Sequence, residues 1–240
     1  MVHSFNAMLD RLQDEFMRLS NFSTDIAHEL RTPLTNIITQ TQVGLTKQRD
    51  LVQYQELLFS NLEELERLTK MVSDMLWLAK TQNGLIKAQQ QVLQSDEEID
   101  ALLEYFDAVA EDANITFIKQ GSNVEFYCEQ LHFRQLLSNL LSNAIRYTPA
   151  GESITISSER TGNDQVCIAV TNPGEKIAAE HLPYLFDRFY RADKSRQRQG
   201  NGAGLGLAIV KALVTANGGN IVVTSNANTR FKVFFKHVKS

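Results

Sequence analysis

The chain is poor in cysteine, proline and tryptophan, with 2 Cys, 4 Pro and 1 Trp in 240 residues. Cys128 and Cys167 stand far apart and outside any paired spacing. That excludes a disulfide framework and a cysteine-rich metal site, and fits two reduced thiols in a cytosol. No uninterrupted apolar run approaches the ~18 residues that suggest a membrane span, and Met1-Val2-His3-Ser4-Phe5 lacks the apolar core of a signal peptide. Positive charge is not in excess: the formal net charge is -4, with no long basic run, so no general attraction to nucleic acid or to an anionic membrane is expected. What remains, 43% hydrophobic and 22% charged, is the balance of a soluble globular chain able to bury one large core or two ordinary ones.

The front of the chain reads as helix. Phe5, Leu9, Leu12, Phe16, Leu19, Ile26 and Leu30 recur in alternating steps of four and three, interrupted by Ser23, which is a heptad seam. Leu51, Leu58, Leu65, Val72 and Ala79 repeat at intervals of seven, interleaved with Leu62, Thr69 and Leu76. Two long helices joined near Lys47 to Asp50 are therefore predicted, and such narrow stripes need a partner. The simplest assembly is an antiparallel four-helix bundle built by a homodimer.

Near Gln82-Asn83-Gly84 the heptad period stops, and Asn-Gly marks a turn and a hinge between domains. Beyond it, strand-like runs at Ile115 to Ile118, Val124 to Cys128, Ser153 to Ser157, Val166 to Val170, Ile221 to Thr224 and Phe231 to Phe235 alternate with helical stretches. Those stretches lie near Ile99 to Ala113, Leu131 to Tyr147 and Leu205 to Asn217. The back part, about 88–240, reads as an α/β sandwich folding as one unit.

His28 falls at an outward-facing f position of the first seam. A zinc-binding H-E-x-x-H would need a second His where Thr32 stands, so that chemistry is excluded. A lone surface histidine is ordinarily a solvated side chain, but its neighbours suit a nucleophile. The carboxylate of Glu29 can take the proton of one ring nitrogen as the other attacks phosphorus. Thr32, one turn on, places a hydroxyl on the same side, and Pro33 removes a backbone donor and is expected to bend the helix there.

His28-Glu29-Leu30-Arg31-Thr32-Pro33 resembles the phosphoacceptor box of bacterial sensor histidine kinases. The resemblance implies that His28 is phosphorylated from ATP, that Glu29 serves as base, and that Thr32 assists dephosphorylation of a response regulator.

Further along, Asn139, Asn143 and Arg146 form a polar stripe beside the apolar face Phe133, Leu137, Leu140 and Ala144. Asparagines at i and i+4 can be solvated amides or hydrogen-bond partners between helices. They are also suitable neutral ligands for Mg²⁺, which keeps water and phosphate oxygens, and Arg146 can hold a phosphate by a forked contact. In Gly200-Asn201-Gly202-Ala203-Gly204-Leu205-Gly206-Leu207 the glycines alternate, a spacing wrong for a dinucleotide fold. Such a loop brings backbone N–H groups close to phosphates, and the helix that follows turns its positive end toward the same charge. Lys194, Arg196 and Arg198 just upstream form a cationic stretch suited to a lid over triphosphate, although such runs are more often solvated loops.

Taken in order, Asn139 to Ala144, Asn172-Pro173-Gly174, Phe186 to Arg191 and Gly202 to Leu207 are similar to the nucleotide-binding boxes of the histidine-kinase catalytic domain, of the histidine kinase, gyrase and Hsp90 fold type. The resemblance implies ATP and Mg²⁺ as cofactors. It places Mg²⁺ on Asn143 with Asn139 supporting, phosphate on Arg146 and Arg191, adenine packing on Tyr147, the adenine site at Asn172 and Gly174, and the phosphate loop at Gly202, Gly204 and Gly206. The family usually has Asp at Asn172, glycine at Lys176, and a late glycine where Asn228 stands. Asn172 still accepts from the adenine amino group but without charge, so lower adenine affinity is expected. Related ATPases carry a water-activating Glu where this chain has Asn139, so direct hydrolysis should be slow.

The resemblance covers nearly the whole chain. It implies the end of a HAMP-like signalling helix at 1–16, a dimerisation and phosphoacceptor domain at 17–83 and a catalytic domain at 88–240. The subgroup resembled, through Ser20-Asn21-Phe22, Val170 to Gly174 and Pro183 to Phe189, is the heavy-metal sensor kinases, including the copper and silver sensors. The expected protein is the cytoplasmic part of a bacterial inner-membrane sensor, touching the membrane only through a missing N-terminal portion and signalling to a response regulator. A response-regulator phosphatase working through Thr32, with ATP as conformational ligand, is the alternative.

Overall fold

The computed structural model describes residues 2–46, 48–82, 88–162, 164–192 and 204–238, with most of α1 before Ile26 described as backbone alone. It divides into two compact units, Met1–Ser73 and Asp74–Ser240.

The first unit is a helical hairpin. Helix α1, Val2–Thr46, runs unbroken through Pro33, and α2, Leu51–Gln82, returns from it. Asp50 caps the second helix: its Oδ1 accepts the backbone N–H of Gln53 at 2.8 Å, satisfying one of the free donors of the first turn. Gly44 is buried near the connection. A Cβ there would meet Leu57 Cδ1 at 2.9 Å, so its absence lets the two helices close at that level.

The side chains that α2 buries in this unit, Asn61, Leu68 and Met71, are not those of the seven-residue repeat. The repeat itself stays uncovered: Leu58, Leu62, Leu65 and Val72 are 64%, 51%, 47% and 42% exposed. The helix thus has two apolar seams, one closed within the chain and one left open. Period alone could not separate them. The seam expected from Phe5 to Leu19 falls on side chains outside the described residues, while Ile26 and Leu30 are half-buried.

The second unit contains β1 (Gln91–Gln94), α3 (Ser95–Asp112), β2 (Thr116–Gly121), β3 (Glu125–Cys128), α4 (Gln130–Tyr147), β4 (Ser153–Thr161) and β5 (Gln165–Pro173), then α5 (Gly206–Ala216), β6 (Asn220–Ser225) and β7 (Asn228–Lys236). Five strands form one mixed sheet in the order β2-β4-β5-β7-β6, in which only β2 and β4 run parallel. β1 and β3 make a separate antiparallel pair. The six strands and three helices expected after residue 88 are all present. β1 was not foreseen, because its outer glutamines leave only Val92 and Leu93 as a β-like signal.

The sheet turns alternate residues inward. Thr229, Phe231, Val233 and Phe235 of β7 are buried, while Arg230, Lys232 and Phe234 between them are only half-buried. Central β5 buries Val166 to Val170 without alternation, because Cys167 and Ala169 on its outer face are short and lie between longer side chains of the neighbouring strands. Phe126, Phe133 and Phe235 tie β3, α4 and β7 together with ring centroids 5.0 to 6.1 Å apart. Each such fully buried ring contributes roughly 1.5–3 kcal/mol of apolar transfer. From Asp74 onward α2 belongs to this unit, where Trp77 meets the edge of His132 at 5.9 Å. The expected hinge at Asn83-Gly84 lies outside the described residues, and among them no helix is long and apolar enough to cross a membrane.

Candidate functional site

Each unit carries its own group of candidate residues. In the first, His28 and Thr32 are both exposed, one helical turn apart, while Pro33 is buried and Glu29 and Leu30 are half-buried. The helix therefore holds its apolar side inward and presents imidazole and hydroxyl outward, as the f position requires. Proline has no N–H, so the Glu29 carbonyl lacks its usual partner one turn on. The helix remains continuous there and lacks a single backbone hydrogen bond, at the residue beside His28.

In the second unit, α4 supplies the polar stripe. Its inner face buries Phe133, Leu136, Leu137, Leu140, Leu141 and Ala144, which leaves Asn139 and Asn143 half-buried at the edge. Asn139 Nδ2 donates to the Gln135 carbonyl at 2.9 Å, and its Oδ1 would lie 3.3 Å from a Cβ on Gly206. Two segments far apart in sequence meet there because Gly206 has no side chain. Arg146 stacks on the adjacent Tyr147, its guanidinium carbon 5.5 Å from the ring centroid, and both are exposed.

The strand end opposite is closely fitted. Asn172 is 4% exposed, and its Nδ2 donates to the Pro173 carbonyl at 2.9 Å, leaving the side-chain oxygen as the atom available to accept. Gly174 stands so near α4 that a Cβ would fall 2.6 Å from the Tyr147 carbonyl oxygen. Asn172, Gly174 and Tyr147 are thus gathered, as are Asn139 and Gly206. At Gly204 the backbone has φ +70°, and the carbonyl accepts the N–H of Phe189 at 3.0 Å. Arg191 is half-buried, whereas Gly202 and the cationic stretch Lys194, Arg196 and Arg198 lie outside the described residues.

One feature escaped sequence reasoning. His181 Nδ1 and the Tyr190 hydroxyl are hydrogen-bonded at 2.7 Å, and Tyr184 lies 5.6 Å from the Tyr190 ring. These residues sit in irregular backbone around one short 3-10 turn, where no period announces which side chains meet.

These residues fit the expected nucleotide and Mg²⁺. The first turn of α5 offers N–H groups with no side-chain cap at Leu205, which suits a phosphate. No group of three or more His, Cys, Asp or Glu able to hold a metal ion occurs among the described residues. Asn139 and Asn143 offer neutral side-chain oxygens of the kind that suits a divalent cation keeping phosphate and water oxygens. Both thiols are buried, and burial pushes Cys128 up to about 12 and also raises Cys167, which disfavours the thiolate at either.

Comparison with known proteins assigns a family to each half of the chain. Residues 18–84 match the His Kinase A (phospho-acceptor) domain, and residues 128–239 match the family of histidine kinase-, DNA gyrase B-, and HSP90-like ATPases. The chain belongs to the sensor histidine kinases. It is 50% identical to sensor histidine kinase CusS of Escherichia coli O157:H7 over 97% of its own length and 48% of that protein. It is also 44% identical to the probable sensor kinase SilS of Salmonella typhimurium, over 96% of this chain and 47% of that one. The chain thus spans about half the length of the curated relatives it matches. The histidine kinase AdeS of Acinetobacter baumannii aligns with TM-score 0.72 and 26% identity over 88% of this chain and 98% of that one. The histidine kinase ThkA, solved in complex with the response regulator TrrA, shares the fold at TM-score 0.78 and 22% identity, over 94% of this chain and 64% of that one. As a histidine kinase, the chain has an ATPase domain in which the asparagine stripe of α4 lies within the matched range, and a phospho-acceptor domain in which His28 does.

Proposed function

We propose that this histidine kinase phosphorylates itself on His28 from ATP and passes the phosphoryl group to an aspartate of a response regulator. One imidazole nitrogen of His28 attacks the γ-phosphorus, the bond to the ADP oxygen breaks, and Glu29 takes the proton from the other ring nitrogen. Asn172 and Tyr147 hold the adenine, Arg146 and Arg191 contact phosphate, and Gly202, Gly204 and Gly206 admit the triphosphate to backbone N–H groups. Mg²⁺, held by Asn143 with Asn139 supporting, supplies neutralisation of the phosphate charge. The reading rests above all on His28 standing exposed on a helix whose next turn is pinned inward by buried Pro33.

The uncovered α2 seam supports a homodimer, since a second copy burying Leu58, Leu62, Leu65 and Val72 would complete a four-helix bundle. The working division is a HAMP-like helix end at 1–16, the phosphoacceptor domain at 17–83 and the catalytic domain at 88–240. The protein is read as the cytoplasmic portion of a bacterial inner-membrane sensor answering a metal ion or other envelope stress.

Incubation with γ-labelled ATP and Mg²⁺ tests the reading. The wild type should take up label and His28→Ala should not; an unlabelled wild type or a labelled variant contradicts it. Thr32, exposed beside His28, favours a second activity, dephosphorylation of the regulator. Thr32→Ala should keep His28 labelling while slowing loss of phosphate from the partner.

A further inference from the structure

In the hairpin of the first unit one buried side chain is of the wrong kind. Asn61 is 8% exposed on the face of α2 that otherwise buries Leu68 and Met71. Its Nδ2 donates to Thr41 Oγ1 on α1 at 3.0 Å, and that hydroxyl in turn donates to the Ile37 carbonyl at 2.7 Å. The single hydroxyl proton is therefore committed, and Thr41 meets Asn61 only as an acceptor. Asn61 Oδ1 is buried with no hydrogen-bond partner. An amide kept in this seam with its oxygen unmet is less favourable than an apolar side chain filling the same space, so stability does not explain it.

We infer that the Asn61–Thr41 pair is a positioning element that holds α1 at one axial level and one rotational phase against α2. Apolar side chains slide past one another with little penalty, whereas an amide and a hydroxyl meet in one arrangement and are left unpaired in any other. The neighbouring layers share this level: Ser60 Oγ donates to Gln40 Oε1 at 3.4 Å, and Leu57 closes on Gly44. Thr41 lies on the same unbroken helix as His28, so the phase set there decides the direction His28 faces. The kinetic consequence rests on the phosphorylation reading above; the claim about register does not.

Asn61→Leu, Thr41→Val, the double variant and the conservative Thr41→Ser separate this role from a purely structural one. Register is read with a short thiol cross-linker on Gln40→Cys paired with Ser60→Cys, against pairs one turn to either side, Gln40→Cys with Glu56→Cys or Glu63→Cys. The native cysteines are buried and do not compete. With Asn61 present only the 40/60 pair should cross-link. In Asn61→Leu and in the double variant the displaced pairs should appear, with an unchanged or raised melting temperature. In the same proteins the maximal rate of His28 labelling should fall at least about fivefold at unchanged KM for ATP, since the nucleotide residues are untouched, and Thr41→Ser should behave as wild type. Asn61→Leu proteins that keep the single 40/60 cross-link, or that melt lower without register change, overturn the inference. A wild type that takes no label sinks the kinase reading instead, while cross-linking and melting still decide the register.

Discussion

Phe189 donates its backbone N–H to the Gly204 carbonyl at 3.0 Å, and a Cβ on Gly204 would fall 2.8 Å from the Phe189 backbone. Both residues have positive φ, +59° at Phe189 and +70° at Gly204. A bulky side chain in that region stores strain, and such strain persists where the surroundings over-determine it. Gly204, two residues before α5, is thereby held against Phe189.

Gly204→Ala should disrupt this clamp in two ways. The left-handed backbone disfavours alanine by about 1–2 kcal/mol, and the new methyl group must displace backbone, which cannot swing aside. Calorimetry should show a melting temperature lowered by roughly 2–8 °C, and titration with a non-hydrolysable ATP analogue should show affinity at least about tenfold weaker.

Asn143→Ala removes an amide that is half-buried at the edge of the α4 core. Melting should move by less than about 1 kcal/mol equivalent, whereas Mg²⁺-dependent nucleotide binding should weaken about tenfold or more. Equal nucleotide affinity in variant and wild type, measured with and without Mg²⁺, would remove Asn143 from the site.

The open seam of α2 predicts the oligomeric state. Leu62→Asp puts a carboxylate at the centre of the uncovered stripe, where a second copy would have to desolvate it. Sedimentation should show dimer dissociation strengthened at least about 100-fold, with the helical signal of the ATPase domain retained.

Stability of the second unit should depend on His132. Burial lowers its pKa below the ordinary 6.5, and the nearby Glu129 carboxylate opposes only part of the effect. The ring is packed by Trp77, bonded to Asn217 Nδ2 at 3.1 Å and 3.3 Å from Glu129 Oε2. Because the folded pKa is the lower one, the unfolded chain binds the proton more readily. Stability is then full above about pH 6.5 and declines as pH falls toward the folded value. His132→Gln keeps an acceptor and does not titrate, so melting curves between pH 7.5 and 5 should lose this component of the slope in the variant.

How much of this was legible in the chain differs by element. Helices α4 and α5 and strands such as β4 and β7 were readable because each carries a local period of 3.6 or 2 in its apolar residues, and β5 because its apolar run is continuous; such patterns survive without knowledge of the partner. The outward direction of His28 was readable for the same reason. β1 was not, since only two of its residues are apolar and its pairing with β3 is long-range. In α2 the repeat of seven was real, yet it marked the open seam; burial of Asn61 is decided by what α1 places opposite.

The sequence by itself determined the helical front, the mixed back and the residue types of both sites, because helix period, turn glycines and short motifs are properties of neighbours along the chain. Only the tertiary structure decided that Gly206 meets Asn139, that Gly174 closes on the Tyr147 carbonyl, and that Thr41 answers Asn61. Each of these depends on the distance between segments remote in the chain, which is set by the summed packing of whole helices and strands and is written in no single stretch of residues.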